Sequence, residues 1–152
     1  MKRFIGNIDA KADAKGRVFI PAVFRKILNE LKEDELVLRK DVYQNCLVLY
    51  PFRIWNEELD QLRSKLNKWN ESHQRLYRQF VLDSEKLEME TNGRILIPKR
   101  YLQMVGISSD VRFVGMDQTI EIWNQSKLGE SLLTPEEFEV GVRKFLGDIA
   151  DE

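Results

Sequence analysis

Two arginines, Arg17 and Arg94, each lie directly after a glycine and four residues after a carboxylate. The first stretch begins at Asp13 and reads Asp-Ala-Lys-Gly-Arg-Val-Phe-Ile-Pro, and the second begins at Glu90 and reads Glu-Thr-Asn-Gly-Arg-Ile-Leu-Ile-Pro. A planar guanidinium on a tight turn can bind guanine or a phosphate through two parallel hydrogen bonds. The neighbouring Lys15 would add a phosphate contact, which carries no sequence information. The spacing alone equally allows structural ion pairs of small energetic effect.

Each motif predicts a turn, a short strand and the start of a helix. Gly16 and Gly93 supply a backbone that can adopt positive φ in a tight turn. The three apolar residues after each arginine indicate a strand with both faces covered. A proline then ends each strand and suits the first position of a helix. The helix face in the first copy is formed by Phe24, Ile27, Leu28 and Leu31, and Gly106 ends the helix in the second copy.

The two motifs head two halves with the same order of elements, which indicates an internal repeat. Further strand candidates lie at residues 36–38 and 47–49 in the first half and at residues 111–114 and 120–123 in the second. We expect residues 1–12 to be extended and to pair with the strand after Gly16. A half of roughly 50 residues buries too little surface for a stable core, so the halves are predicted to pack together.

Helical patterns connect and follow the halves. Between Trp55 and Phe80, apolar residues recur every three or four positions, which predicts two helices with a break at residues 67–72. His73 lies in register with this stripe and is expected to be packed or partly exposed rather than a ligand. The tryptophans are expected in the core or in an interface. Residues 134–137, Thr-Pro-Glu-Glu, form a capping box that begins a terminal amphipathic helix.

Composition limits the class of protein. The chain has 152 residues, 43% hydrophobic and 32% charged, which is typical of a globular protein. Its net charge is −1, but the motifs are basic and the stretch after residue 134 is acidic. The lack of a long apolar run or leader favours a soluble intracellular protein, and the single cysteine, Cys46, agrees with a reducing compartment. One histidine and one cysteine argue against a metal centre or an enzyme, so no cofactor, metal or small-molecule substrate is expected.

The paired motifs resemble those of the MraZ family of bacterial transcriptional regulators. The resemblance extends to the Cys-Leu-Val-Leu-Tyr-Pro stretch at residues 46–51 and to the strand pair at residues 111–123. It implies an α+β fold, in which two internal repeats form a swapped-hairpin, AbrB-like β-barrel with flanking helices. The implied divisions are a first AbrB-like repeat at 4–52, a helical connection at 53–80, a second repeat at 81–125 and a C-terminal helical tail at 126–152.

The resemblance also implies a function. A family member would be a sequence-specific DNA-binding regulator of transcription, located in the cytoplasm with the nucleoid. It would repress the division and cell-wall gene cluster, including its own promoter, by binding promoter repeats in double-stranded DNA as a ring-like homo-oligomer.

The family's DNA-binding arginine corresponds to Arg17 and, in the second copy, to Arg94. The implied site also includes Asp13 and Lys15, and Lys2 and Arg3 could reach a phosphate. Two departures, Glu90 for the usual aspartate and Asn92 at the position of Lys15, suggest that the second turn is weaker or structural.

An alternative is an AbrB-like protein-interaction module, such as an antitoxin, that binds a protein through its C-terminal helix. In that case, deleting residues 134–152 would abolish partner binding and leave DNA binding intact. The remaining basic residues near the motifs, Arg25, Lys99 and Arg100, are interpreted as ordinary surface charges.

Overall fold

A computed structural model describes residues 2–150, with side chains described as far as residue 147. The first half contains β1 (Asn7–Lys11), β2 (Arg17–Phe19), α1 (Ala22–Glu30), β3 (Glu35–Lys40) and β4 (Leu47–Pro51). Two helices follow, α2 (Phe52–Lys65) and α3 (Glu71–Leu82). The second half contains β5 (Ser84–Glu88), β6 (Arg94–Leu96), α4 (Lys99–Met104), β7 (Asp110–Met116) and β8 (Thr119–Asn124). A short 3₁₀ helix (Leu128–Ser131) and α5 (Pro135–Ala150) complete the described chain.

The strands of the two halves interlock. A six-stranded antiparallel sheet has the order β1-β7-β8-β4-β3-β5. The first strand of each half pairs with the third strand of the other half, β1 with β7 and β5 with β3. The motif strands β2 and β6 leave this sheet and pair with each other as a separate antiparallel ribbon. The α+β class and the AbrB-like exchange between repeats are thereby confirmed. Closure of the sheet into a barrel, and the division of the chain at the boundaries given above, stay predictions.

The N-terminal segment pairs differently from expectation. β1 is extended as predicted, but it hydrogen-bonds to β7 of the second half rather than to the strand after Gly16. Its alternating burial, with Ile8 and Ala10 packed against the core, fits the edge position that β1 takes in the six-stranded sheet. The expected pairing was wrong because sequence proximity favoured a local partner, whereas the repeats exchange their first strands.

Two apolar clusters hold the sheet. The main core includes the motif strands, α1 and α4, and buries Phe24, Tyr101 and Phe113 completely. The opposite face of β3 and β4 is covered by α2 and α3, where Trp55 stacks on Phe80 with ring centroids 5.7 Å apart. This double covering explains why every residue of β4 is buried. Burial of a large aromatic side chain contributes about 1.5–3 kcal/mol relative to its exposure.

The predicted break between the two connecting helices is present at residues 66–70. The side chain of Asn70 caps α3 by accepting the His73 backbone N–H at 3.1 Å, and His73 Nδ1 accepts the Asn67 backbone N–H at 2.9 Å. His73 is therefore partly exposed and occupied in ending one helix and starting the next. Trp55 and Trp123 are buried, but Trp69, in the break, is 85% exposed.

The terminal helix begins with the predicted capping box. The Thr134 backbone N–H donates to Glu137 Oε1 at 3.0 Å, and the Glu137 N–H donates to Thr134 Oγ1 at 3.1 Å. The large apolar side chains along α5 are nevertheless exposed, among them Phe138, Val140, Phe145 and Leu146. Ile149, predicted to share this face, lies outside the described side chains. No helix within residues 2–150 is long and apolar enough to cross a membrane.

Candidate nucleic-acid interface

The first arginine turn is built around one carboxylate. Asp13 Oδ1 accepts the backbone N–H groups of Lys15 at 3.0 Å and Arg17 at 2.9 Å, and Asp13 Oδ2 accepts Arg17 Nε at 2.7 Å. The backbone N–H of Arg17, with the Arg17 guanidinium and the Lys15 N–H, holds the pKa of Asp13 below its ordinary value of 3.8. The carboxylate therefore fixes both the turn and the direction of the arginine.

The anchoring leaves the end of the Arg17 side chain available. Only Nε is bonded to Asp13, and the terminal amino groups make no hydrogen bond to any residue that the structure describes. The side chain is 37% exposed. A guanidinium held at Nε by a carboxylate can present its two terminal nitrogens together, as bidentate recognition of guanine or phosphate requires. Lys15 is exposed on the same turn.

The second turn has the same backbone and a different set of side-chain bonds. The N–H of Glu90 donates to the Arg94 carbonyl at 2.8 Å, as the N–H of Asp13 donates to the Arg17 carbonyl at 2.9 Å. Here Asn92 Oδ1 accepts the Arg94 N–H at 3.2 Å, while Glu90 Oε2 accepts Arg94 Nε at 3.2 Å. The two tasks that Asp13 performs alone are thus divided between two residues.

The two turns interlock through their glycines. The Gly16 carbonyl accepts the Ile97 N–H at 2.9 Å, and the Gly93 carbonyl accepts the Ile20 N–H at 3.0 Å. Both glycines have positive φ, +92° and +89°. A Cβ at Gly16 would collide with the carbonyl oxygen of Ile97, so this approach of one repeat to the other requires glycine.

Pairing of β2 with β6 places both arginines on one surface. Arg17 is opposite Leu96 and Phe19 is opposite Arg94, and residues directly opposite in an antiparallel pair share a face. This outward face is defined here as the ribbon face, with Arg17, Phe19, Arg94 and Leu96. The prediction that the motif strands are covered on both sides was wrong, because Phe19 and Leu96 are 52% and 49% exposed.

The two N-terminal basic residues do not join the ribbon face. Lys2 pairs with Glu30 at the end of α1, and Arg3 Nη1 lies 3.3 Å from Asp117 Oδ1 in the turn between β7 and β8. Their charges are partly neutralised by these partners. The structure therefore brings together Asp13, Lys15, Arg17 and Arg94, and it leaves Lys2 and Arg3 in ion pairs elsewhere.

One basic residue near the second turn was missed. Arg25, interpreted from sequence as a surface charge, packs on Gly93 and donates from Nη1 to the Asn92 carbonyl at 3.4 Å. The corresponding residue of the second repeat, Leu102, packs near Gly16. No local pattern could have found this contact, because the residues are 67 positions apart. The second turn thus has a cation nearby although Asn92 replaces lysine.

The interlocked repeats and the paired arginine turns define an AbrB-like α+β protein. A family model described as "MraZ protein, putative antitoxin-like" matches residues 4–78 and 80–128. A protein named transcriptional regulator MraZ from Bacteroides fragilis is 58% identical over 146 residues, which cover 96% of this chain and 92% of that protein. Its namesake from Bacteroides thetaiotaomicron is 55% identical over 148 residues, which cover 97% and 95% of the two chains. The chain belongs to the MraZ family.

This membership settles the broad class. The family is one of transcriptional regulators rather than of enzymes, which confirms the expectation that the chain is not an enzyme. A more distant relative, from Serratia proteamaculans, carries the same name at 32% identity over 122 residues, which cover 80% of each chain.

Proposed function

We propose that the protein is a sequence-specific regulator that binds double-stranded DNA through the turns of Arg17 and Arg94. The observation that carries the proposal is the anchoring of each arginine at Nε by a carboxylate four residues earlier, while the terminal nitrogens make no hydrogen bond to any residue that the structure describes. Both arginines lie on one solvent-facing surface. This arrangement suits guanidinium groups that contact base edges in the major groove.

The roles of the site residues follow from their contacts. Arg17 and Arg94 would contact base edges, and the exposed Lys15 would contact a phosphate. Asp13 would act by orienting Arg17 and not by touching DNA, because a carboxylate repels the phosphate backbone. Lys2 and Arg3 would contribute at most to the general attraction, since Glu30 and Asp117 hold their side chains.

A single chain presents too few base contacts for high specificity. One bidentate arginine contributes about 1–3 kcal/mol of discrimination between bases. We therefore propose a ring-like homo-oligomer that binds promoter repeats, because each further turn then binds at a high effective concentration. Repression of the division and cell-wall gene cluster, including the protein's own promoter, and association with the nucleoid belong to this proposal through the family resemblance.

The test is fluorescence anisotropy on the duplex upstream of the protein's own gene, against a scrambled duplex, over a salt series. Wild-type protein should prefer the native duplex, with a slope of log K against log salt of about −0.9 per neutralised phosphate. Arg17→Ala should bind both duplexes alike and keep its oligomeric state. Arg143→Ala is the matched control, because Arg143 forms an exposed i,i+4 ion pair with Glu139 at 3.0 Å. Arg17 forms an ion pair of the same spacing with Asp13 at 2.7 Å.

Two outcomes would contradict the proposal. Equal binding of native and scrambled duplexes by wild-type protein would leave only non-specific charge attraction. Dissociation of the oligomer in Arg17→Ala would instead assign Arg17 a structural role.

A second candidate function rests on the exposed apolar side chains of α5. An amphipathic helix with Phe138 at 62% and Phe145 at 77% exposure can bind a groove on a protein partner. This matches the alternative of an antitoxin-like interaction module. If it holds, a chain without residues 134–152 loses a protein partner in co-purification while native-duplex binding is unchanged.

A further inference from the structure

The ribbon face carries two exposed apolar side chains, which alternate with its two arginines at the corners of the face. Its strands have three residues each, and the central pair, Val18 and Ile95, points inward and is 1% and 0% exposed. The outward apolar residues, Phe19 and Leu96, are half exposed, and each lies directly opposite an arginine. The Cζ atom of Arg94 lies 5.7 Å from the centroid of the Phe19 ring. The core does not account for this apolar pair.

The charges at the edges of the face indicate what covers it. Arg17 and Arg94 occupy two diagonal corners of the face and the apolar pair occupies the other two, so an anionic surface with apolar groups between its charges would complement the ribbon face. A two-stranded ribbon is narrow enough to enter the major groove of DNA. The apolar group that base pairs present in that groove is the C5-methyl of thymine, which aromatic and aliphatic side chains contact.

The register fixes the spacing of these contacts. Arg17 and Arg94 are diagonal neighbours across the ribbon, which places their backbones roughly 7–8 Å apart. Stacked bases are about 3.4 Å apart along each strand. The two arginines can therefore reach bases about two steps apart, and the apolar side chains lie on either side of the line that joins the arginines.

We propose that Phe19 and Leu96 contact thymine methyl groups in the major groove, beside the bases contacted by Arg17 and Arg94. The inference rests on the proposed function, because it assigns further specificity to the same surface. Phe19 and Leu96 determine specificity at positions that the arginines do not read.

The test compares the native promoter duplex with the same duplex in which every thymine is replaced by deoxyuridine. Deoxyuridine keeps the base pairing and lacks only the methyl group. Wild-type protein should bind the deoxyuridine duplex about fourfold more weakly for each methyl group that it buries. The double variant Phe19→Ala, Leu96→Ala should bind both duplexes with the same affinity, whereas Phe19→Leu should keep part of the discrimination.

Leu76→Ala is the matched control, because Leu76 is 54% exposed on α3, away from the ribbon. It should retain the full wild-type ratio between the thymine and deoxyuridine duplexes. All substituted residues are exposed, and circular dichroism and light scattering would verify fold and assembly.

Three results would overturn the inference. Wild-type protein that prefers the native to the scrambled duplex, yet binds thymine and deoxyuridine duplexes equally, refutes the methyl contact and leaves the proposed function intact. Dissociation of the oligomer in the double variant would show that a second copy of the chain covers the ribbon face. Wild-type protein that binds the native and the scrambled duplex equally would refute both this inference and the proposed function.

Discussion

Replacing Gly16 with alanine should destabilise the protein more than replacing any other turn glycine. Gly16 has φ +92°, and a non-glycine residue in this region costs about 1–2 kcal/mol. The added Cβ would also strike the Ile97 carbonyl oxygen, a backbone atom that cannot rotate away. Relieving that collision would weaken the bond from the Ile97 N–H to the Gly16 carbonyl, which contributes about 1 kcal/mol. The expected loss is about 2–4 kcal/mol.

Two further glycines provide graded controls. Gly93 has φ +89°, but its Cβ would meet the flexible side chain of Arg25, so Gly93→Ala should cost only the backbone term of about 1–2 kcal/mol. Gly129 has no atom within 4 Å of an added Cβ, so Gly129→Ala should change stability by less than about 0.5 kcal/mol. Urea unfolding followed by tryptophan fluorescence, at one protein concentration, measures all three.

The order of stability of the three variants tests this reasoning. Gly16→Ala should lower Tm by roughly 10 °C, since about 1 kcal/mol corresponds to a few degrees at this size. If Gly16→Ala is as stable as Gly129→Ala, the interlocking of the two turns does not hold the ribbon to the core as described. If Gly93→Ala is the worst of the three, Arg25 is a rigid part of the second turn.

Three other predictions concern the Asp13 carboxylate, the Cys46 thiol and helix α5. Hydrogen bonds to the first turn lower the pKa of Asp13. The ionised Asp13 therefore stabilises the fold fully above the ordinary carboxyl pKa, and this stabilisation is lost as pH falls through the lowered value. Asp13→Asn should flatten the acid limb of a curve of stability against pH. Burial raises the pKa of the Cys46 thiol, so folded protein should resist a thiol reagent that reacts at once in urea, and equal rates would refute its burial. Deletion of residues 134–152 should leave the urea midpoint unchanged, since Phe138, Val140, Phe145 and Leu146 of α5 are exposed, and a lower midpoint would show that α5 packs on the core.

Local elements could be read from the sequence because each has a local cause. The motif turns, the two prolines before helices and the capping box at residue 134 depend on neighbouring residues, and all are present. The strand pairs β3–β4 and β7–β8 are hairpins, whose short connections make the pairing partner evident. The paired motifs also identify the two arginines from the sequence alone.

Non-local pairing could not be read in the same way. The partner of β1 is about a hundred residues away in β7, and nothing in its own pattern distinguishes that strand from the nearer β2. Exposure of Phe19 was hidden for a related reason. The run Val18-Phe19-Ile20 has no alternation of apolar and polar residues. Only the pairing of β2 with β6 shows that Phe19, the middle residue of this run, faces outward.

The two turns show how far a repeat can diverge while its function stays possible. Glu90 stands in the second turn where Asp13 stands in the first, and its side chain is one methylene longer. The longer carboxylate does not accept the Arg94 backbone N–H, which Asn92 Oδ1 accepts instead. The second turn has Asn92 where the first has Lys15, but Arg25 lies against the second turn and supplies a positive charge there. The backbone and the arginine at its end are therefore kept while the supporting side chains change. Under the proposed function both turns would contact DNA, and the second arginine would be held by longer bonds, 3.2 Å at both its N–H and Nε against 2.9 and 2.7 Å in the first turn.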